Sequence, residues 1–230
     1  SIPDYIAAVR AGDYEHGLAL LYETNPFSEV CGRVCTHKCE TVCAVHHAGD
    51  PVAIRWLKRH ITDQVPYEKY REIVGDPAPA SGKKVAVIGG GPAGISVAYQ
   101  MALKGYQTSL YEREPELGGK IFYCIPEDRL PREILTSELN RFVNLGVEVH
   151  AGTDVTKELY EKIYKDNDMV VLATGGHSPR VIPFPGYEHV LPGIVFLKEI
   201  AAGGATLPVL QAWGSTVTSL ARYARSSVSM

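Results

Sequence analysis

The feature that most constrains the fold of this sequence is a glycine-rich turn directly after a short apolar run. Residues 85–88 are Val, Ala, Val and Ile, and they lead into a Gly-x-Gly-x-x-Gly pattern formed by Gly89, Gly91 and Gly94. In such a pattern the apolar run is a buried strand that ends in a tight turn. The second glycine lets the backbone approach a pyrophosphate, and the third lets the next helix pack against the strand. The pattern therefore predicts a dinucleotide-binding turn.

The residues that follow supply the other parts of such a site. Pro92 and Ala93 suit the first turn of a helix, whose unpaired N–H groups and partial positive charge stabilise a phosphate. Gly105 is expected to end this helix, and Glu112 closes the next apolar run, eighteen residues after the last glycine. A carboxylate there accepts hydrogen bonds from ribose hydroxyls, with Arg113 beside it. A glycine-rich turn without a ligand is the structural alternative.

Length and composition indicate a globular protein. The chain has 230 residues, which is enough for one large or two small domains. Hydrophobic residues make up 45% of it, and the net charge is -3. No stretch approaches the roughly 18 consecutive apolar residues of a membrane span. No basic run is longer than a pair such as Lys83 and Lys84, so we expect no nucleic-acid binding. The chain starts at Ser1 without an apolar leader, and we expect a cytoplasmic location.

Periodicity divides the sequence into a helical part and an alternating part, separated by a link rich in glycine and proline at residues 75–82. Before the link, apolar residues such as Leu18, Trp56 and Ile61 recur at helical spacing. After it, strands alternate with helices, which predicts a mostly parallel sheet with helices on both faces. The predicted strands are 83–89, 106–111, 147–150 and 169–173, and the predicted helices are 92–104, 131–145 and 157–165.

Four cysteines, Cys31, Cys35, Cys39 and Cys43, stand at regular four-residue intervals in the helical part. Four cysteines this close together in the sequence indicate a bound metal. Structural zinc sites usually pair cysteines as C-x2-C, whereas iron-sulfur clusters accept varied spacings. On one straight helix the outer two would lie about 18 Å apart, so either the segment bends, with Gly32 the easiest hinge, or it serves two clusters. Iron-sulfur ligation is the favoured interpretation, with zinc and free thiols as alternatives.

The remaining cysteine and the histidines show no site pattern. Cys124 lies in the apolar segment F-Y-C-I-P, a setting typical of packing, with a redox or cofactor-contacting role as the alternative. The eight histidines form no recognisable ligand spacing, and no acid-base pair or nucleophile is visible. We therefore expect no catalytic residue in this chain.

With both motifs in view, the sequence resembles the glutamate synthase small (beta) subunit family, which includes the N-terminal half of dihydropyrimidine dehydrogenase. The resemblance covers residues 2–208. It rests on T-N-P-F-S-E-V-C-G-R-V-C at 24–35, P-V-A-I at 51–54, V-A-V-I-G-G-G-P-A-G at 85–94, E-L-G-G-K at 116–120, I-P-E-D-R-L-P at 125–131 and V-V-L-A-T-G-G at 170–176.

The resemblance implies an α/β protein with two domains. A helical iron-sulfur domain, residues 1–76, is expected to precede a Rossmann-like FAD-binding domain, residues 77–208. The family inserts an NAD(P)H-binding domain near Pro208, so we expect a truncated FAD-binding fold here. Residues 209–230 are then an irregular tail or a remnant of the NAD(P)H-binding domain.

The resemblance also implies positions for FAD. Its pyrophosphate is expected on the glycine turn and its adenosine ribose on Glu112, while its flavin half lies near the E-L-G-G-K segment and Arg129. Val155 is expected to bind the adenine through its backbone. The A-T-G-G segment, by itself a simple strand-ending turn, is expected to let the cofactor pass. The expected FAD-contacting residues are Gly89, Gly91, Pro92, Ala93, Gly94, Glu112, Arg113, Gly118, Gly119, Lys120, Arg129, Val155, Ala173, Thr174 and Gly175.

The function implied by the resemblance is electron relay. NAD(P)H reduces FAD, the flavin passes single electrons to [4Fe-4S] clusters, and a partner subunit turns over the substrate. The expected partners are a catalytic subunit, of glutamate synthase or of an aldehyde or acyl oxidoreductase, and a ferredoxin-like subunit. In the family, cysteines preceding the equivalent of Ile2 share the clusters, so the four cysteines here are expected to need further ligands from elsewhere. A non-catalytic scaffold that keeps the fold is the rival interpretation.

Overall fold

The computed structural model of the chain describes residues 1–180 and 182–201. Residues 1–178 form one compact unit, and the residues from 179 onward belong to a second unit. The tail expected at 209–230 lies outside the described residues, as does the lone position 181.

The first part of the compact unit is helical. At the start of the first helix, the Asp4 carboxylate accepts hydrogen bonds from the terminal ammonium of Ser1 at 2.7 Å and from the Ser1 hydroxyl at 2.6 Å. The side chains of Leu18 and Ile61 are fully buried in the core between the helices, as their spacing predicted. The helices are α1 (Ile2–Ala11), α2 (Tyr14–Tyr22), α3 (Ser28–Val34), α4 (Lys38–Thr41), α5 (Ile54–Gln64) and α6 (Tyr70–Val74).

The second part is a parallel sheet with helical connections. Its strand order is β3-β2-β1-β4, and the central strand β1 is buried from Val85 to Ile88 because it pairs on both sides. The elements are β1 (Lys84–Ile88), α7 (Pro92–Leu103), β2 (Gln107–Tyr111), α8 (Lys120–Cys124), α9 (Arg132–Val143), β3 (Glu148–His150), α10 (Lys157–Asp166) and β4 (Met169–Leu172). Every predicted strand and helix is present with ends shifted by at most two residues, and the short helix α8 is an addition. The α/β fold class is confirmed.

The glycine- and proline-rich link is attached to the end of α7. The Ala78 amide donates to the Leu103 carbonyl at 2.8 Å, and the Ser81 amide donates to the Gly105 carbonyl at 2.9 Å. Gly105 adopts a φ of +78°, which ends α7 and which a residue with a side chain rarely adopts. The link is therefore a fixed part of the compact unit, and a domain boundary at residue 76 stays a prediction.

The cysteine segment is bent, but not at the expected hinge. Helix α3 runs through Gly32 without a break, and the chain turns at residues 35–37, where His37 adopts a φ of +44°. Gly32 packs closely on α5, because a Cβ added to Gly32 would lie only 3.0 Å from the Arg59 Cα. The expectation of a hinge at Gly32 was therefore wrong: this glycine permits close helix packing instead.

The described part of the second unit contains a single-turn helix at Tyr187–His189 and the helix α11 (Gly193–Ala201), neither of which was predicted. Across the described ranges of both units, no helix combines the length and apolar character needed to cross a membrane.

Candidate functional site

Two glycines of the turn between β1 and α7 are required by contacts within the protein. Gly89 adopts a φ of +111°, and a Cβ on it would lie 2.7 Å from the Ala173 carbonyl carbon. A Cβ on Gly94 would overlap the carbonyl oxygen of Gly89, because α7 packs directly against the turn. Hydrogen is the only side chain that fits at either position.

The middle glycine faces open space instead. Gly91 has a φ of -79°, which any residue can adopt, and an added Cβ would meet nothing within 4 Å. Gly91 is the N-cap of α7, and the exposed Pro92 and Ala93 form the first turn. The first backbone N–H groups of a helix have no acceptor within the helix and carry partial positive charge. This open helix end has the geometry to receive a phosphate.

The carboxylate of Glu112 is fixed beside the turn. Its Oε2 accepts a hydrogen bond from the Gly90 amide at 2.5 Å, and its Oε1 accepts one from the Glu114 amide at 2.8 Å. The side chain is buried at the carboxyl end of β2. Because each carboxylate oxygen has a second lone pair, Glu112 retains acceptor capacity for a ribose hydroxyl. Gly90 was missed as a site residue, although the run of three glycines is a signal that could have found it.

The E-L-G-G-K segment lies directly against the glycine turn. The Gly118 amide donates to the Gly90 carbonyl at 2.8 Å. A Cβ on Gly119 would lie 2.9 Å from the Gly91 Cα, so only glycine allows this approach. Helix α8 then begins at Lys120, whose side chain is exposed.

The remaining expected residues divide into two groups. The first group lies on segments that are bonded to the strands next to the turn. The A-T-G-G segment is one of them, because the Ala173 amide donates to the Ile88 carbonyl at 2.8 Å. The loop that carries Val155 is joined to β2 by a hydrogen bond from the Thr153 amide to the Glu112 carbonyl at 2.8 Å. The second group consists of residues whose side chains are exposed: Arg113, Lys120 and Arg129.

The backbone arrangement fits a dinucleotide. Three chain segments meet at the carboxyl end of β1. An added Cβ would clash at Gly89, Gly94 and Gly119, whereas Gly91 faces open space. Ligands in open α/β sheets bind in this position, outside the carboxyl ends of the strands.

A second site lies in the helical part, where three of the four cysteines line one cavity of about 270 Å³. Cys31 is in α3, Cys35 follows its end, and Cys39 is in α4. Cys43 follows α4 and does not line this cavity. Across residues 1–180 and 182–201, no three Cys, His, Asp or Glu side chains converge closely enough to hold a single metal ion.

Charged and polar side chains that sequence reasoning missed also line this cavity, among them Tyr5, Arg55 and Lys58. The Arg55 Nη1 donates to the Cys35 carbonyl at 3.5 Å, while its buried Nε has no acceptor among the described residues. Arg55 and Lys58 line the cavity together with the thiols, and such cationic side chains fit an anionic group there. A cluster held by thiolates is anionic, so the donor set fits a [4Fe-4S] cluster that takes further ligands from elsewhere.

The environments of the outer cysteines differ. Burial raises the pKa of the Cys31 thiol, against a hydrogen bond from the Asn25 side chain. Backbone hydrogen bonds, the strongest from Val52, lower the pKa of the Cys43 thiol. Cys43 therefore forms the thiolate, which is the form that binds iron, more easily than Cys31.

The parallel sheet, the glycine turn and the carboxylate at the end of β2 define a dinucleotide-binding α/β protein that carries a cysteine-rich helical part. The chain belongs to the pyridine nucleotide-disulphide oxidoreductase family, whose model matches residues 83–204. Residues 1–70 match the model of dihydropyrimidine dehydrogenase domain II, 4Fe-4S cluster.

Three curated relatives agree with this assignment. The chain is 36% identical to the NADP(+)-dependent formate dehydrogenase subunit beta of Moorella thermoacetica, over 86% of this chain and 32% of that protein. It is 36% identical to the NADPH-Fe(3+) oxidoreductase subunit beta of Geobacter sulfurreducens, over 89% of this chain and 32% of that protein. It is 34% identical to the glutamate synthase [NADPH] small chain of Mycobacterium tuberculosis, over 81% of this chain and 38% of that protein.

These relatives confirm the resemblance to the glutamate synthase small subunit family. The chain spans about a third of the length of each relative, 32% to 38%.

Proposed function

We propose that the chain is part of an FAD- and iron-sulfur-containing electron-transfer subunit of an NADPH-linked oxidoreductase. The observation that carries this proposal is that one compact unit, residues 1–178, contains both an outward-facing glycine turn and a cavity lined by three cysteines. A nucleotide site and a thiol site in one unit are what a flavin-to-cluster relay requires.

The α/β part binds and orients FAD in this proposal. The helix end at Gly91 holds the pyrophosphate, and Glu112 accepts from the ribose. The backbone at Gly118 and Gly119 borders the flavin half, with Lys120 and Arg129 at its polar edge. Bound FAD supplies the conversion of two-electron hydride chemistry into single-electron steps.

The helical part holds iron in this proposal. Cys31, Cys35 and Cys39 bind a [4Fe-4S] cluster in their shared cavity, while Cys43 lies outside it and contributes to a second cluster. The guanidinium of Arg55, which lines the same cavity, offsets the negative charge of the cluster.

The names of the relatives support two further proposals about the complete protein. The three relatives carry NADP(+) or NADPH in their names, which favours NADP(H) as the pyridine nucleotide. Each is called a subunit or a small chain, which favours assembly with a further subunit. We propose that a catalytic oxidoreductase subunit, and a ferredoxin-like subunit, receive or supply the electrons. A cytoplasmic location belongs to the same proposal.

The visible spectrum of the anaerobically purified full-length protein tests this function. We expect flavin bands together with a broad iron-sulfur shoulder, and iron on elemental analysis. A folded but colourless protein would instead support the scaffold interpretation, and zinc without iron would support the zinc interpretation of the cysteines.

A further inference from the structure

We propose that Glu138 is a positioning residue that fixes the cysteine-bearing helix α3 against the nucleotide-binding part. This inference rests on the proposed function, because its importance lies in the path from flavin to cluster.

The Glu138 carboxylate, on α9, binds the first turn of α3. Its Oε1 accepts from the Glu29 amide at 2.6 Å, and its Oε2 accepts from the Val30 amide at 3.0 Å. The Glu138 side chain has no exposed surface. The start of a helix leaves its first backbone N–H groups unpaired. Glu138 accepts from two of them in α3, although it lies 108 or more positions away in sequence.

This contact fixes the cysteines as well, because they belong to the same rigid element. Cys31 directly follows Val30, and its amide donates to the Phe27 carbonyl at 2.9 Å. The Cys35 amide then donates to the Cys31 carbonyl at 3.1 Å. A displacement of the first turn of α3 must therefore displace the cysteines at its middle and end.

The same face of α9 also borders the proposed flavin site. Leu135 lies one turn before Glu138, and a Cβ added to Gly118 would lie 3.5 Å from the Leu135 Cδ2. Residues three positions apart on a helix share a face. One helical turn of α9 thus spans from the E-L-G-G-K segment to the cysteine helix.

A buried network fixes the orientation of the Glu138 carboxylate. The Tyr22 hydroxyl donates to its Oε1 at 3.1 Å. The Arg141 guanidinium lies 3.5 Å from Glu138 and 3.2 Å from Glu29, and it stacks 3.3 Å over the centre of the Tyr70 ring. Hydrogen bonds from several directions leave the carboxylate little freedom to turn.

On its other side, α3 packs against α5 through Gly32, where only 3.0 Å separates an added Cβ from the Arg59 backbone. The helix is therefore held between α5 and α9. Without the hydrogen bonds to Glu138, α9 would hold the first turn of α3 less firmly, through contacts such as that of Arg141 with Glu29, and the cysteine-to-flavin distance would become more variable.

The test compares Glu138→Gln with Glu133→Gln in the full-length protein loaded with FAD and iron. Glutamine has the same shape but only one acceptor oxygen, so one of the two α3 amides would face an NH2 group. Glu133 is on the same helix with an exposed side chain, which makes it a matched control.

After reduction by NADPH in a stopped-flow instrument, we expect Glu138→Gln to keep its FAD content but to pass electrons from flavin to cluster more slowly. The expected loss is several-fold, because electron transfer slows as the distance between the two cofactors grows. Glu133→Gln should match the wild type in both respects. Glu138→Asp, which keeps the charge but draws it back by one methylene, should show a smaller loss and serves if the glutamine variant fails to fold.

Electron-transfer rates and cluster potentials equal to those of Glu133→Gln, with only thermal stability lowered, would overturn the inference. A wild-type protein that contains flavin and iron keeps the proposed function in place in that case. A wild-type protein that lacks either cofactor defeats the proposed function and this inference together.

Discussion

The glycine turn and the cysteine segment differ in what holds their geometry. The turn is fixed by backbone contacts, such as the Gly118 amide on the Gly90 carbonyl and the Ala173 amide on the Ile88 carbonyl, before any ligand binds. The cysteines are spread over short helices and turns, and among the described residues no three donors converge on a metal position. The nucleotide site is therefore preorganised, whereas the final shape of the cysteine site depends on the bonds that the metal makes.

The largest effect is expected from Gly94→Ala, which disrupts the packing of α7 against the glycine turn. The added methyl group overlaps the Gly89 carbonyl oxygen, so α7 must separate from β1. We expect a loss of about 3 kcal/mol in the free energy of unfolding, at the upper end for overpacking, measured by urea denaturation. In the matched variant Gly49→Ala the methyl group enters open space and should change little. Equal stability of the two variants would contradict the account of the turn.

Gly91→Val should separate ligand binding from folding. The position has an ordinary φ and open space around it, so the fold tolerates a side chain that blocks the pyrophosphate. We expect loss of FAD with nearly unchanged iron content and circular dichroism. Parallel loss of iron would show that the cysteine region depends on the bound nucleotide. Retention of FAD would show that the pyrophosphate does not bind at this turn.

Cys39→Ser makes the complementary change at the other site. Removing one of the three thiols of the cavity should lower the iron content while FAD stays bound, because the turn is held by the backbone. Cys124→Ser is the matched control and should retain both cofactors. Iron content and flavin content of the two variants, measured on anaerobic preparations, decide this prediction, and unchanged iron in Cys39→Ser would speak against it.

A smaller effect is expected where the two regions meet. Burial raises the pKa of Glu138 to about 7, against the opposing hydrogen bonds from the Val30 and Glu29 amides. Between about pH 4.5 and pH 7 the folded state then binds more protons than the unfolded state, so stability should fall as the pH rises through this range. Tyr22, Glu29, Tyr70 and Arg141 face the carboxyl group.

Urea denaturation across this pH range should show a flatter profile for Glu138→Gln than for the wild type, with Glu133→Gln like the wild type. A profile that the Glu138 substitution leaves unchanged would assign the slope to other groups.

The sequence was most informative where local chemistry decides the structure. The order of the four strands with α7, α9 and α10, the turn at Gly89 and the position of Glu112 could all be predicted, because glycine requirements and apolar runs are local signals. Trp56 shows the limit of periodicity. It belongs to an apolar helical pattern, yet it is 53% exposed beneath the Arg55 and Arg59 guanidiniums.

The contacts between distant segments could not be predicted. Nothing local to Glu138 indicates that it binds the start of α3, because this pairing depends on how α9 packs across the helical part. Gly32 also looked like a hinge until its contact with Arg59 was known. The cysteine spacing indicated either a bend or two clusters, but only tertiary packing determines where the chain turns.

Electron transfer from flavin to cluster is tested by an anaerobic titration of the full-length protein with NADPH, followed by visible absorption and low-temperature electron paramagnetic resonance. We expect bleaching of the flavin bands and the appearance of a reduced iron-sulfur signal in the same titration. Flavin reduction without any cluster signal, in a preparation that contains iron, would contradict electron transfer between the two sites.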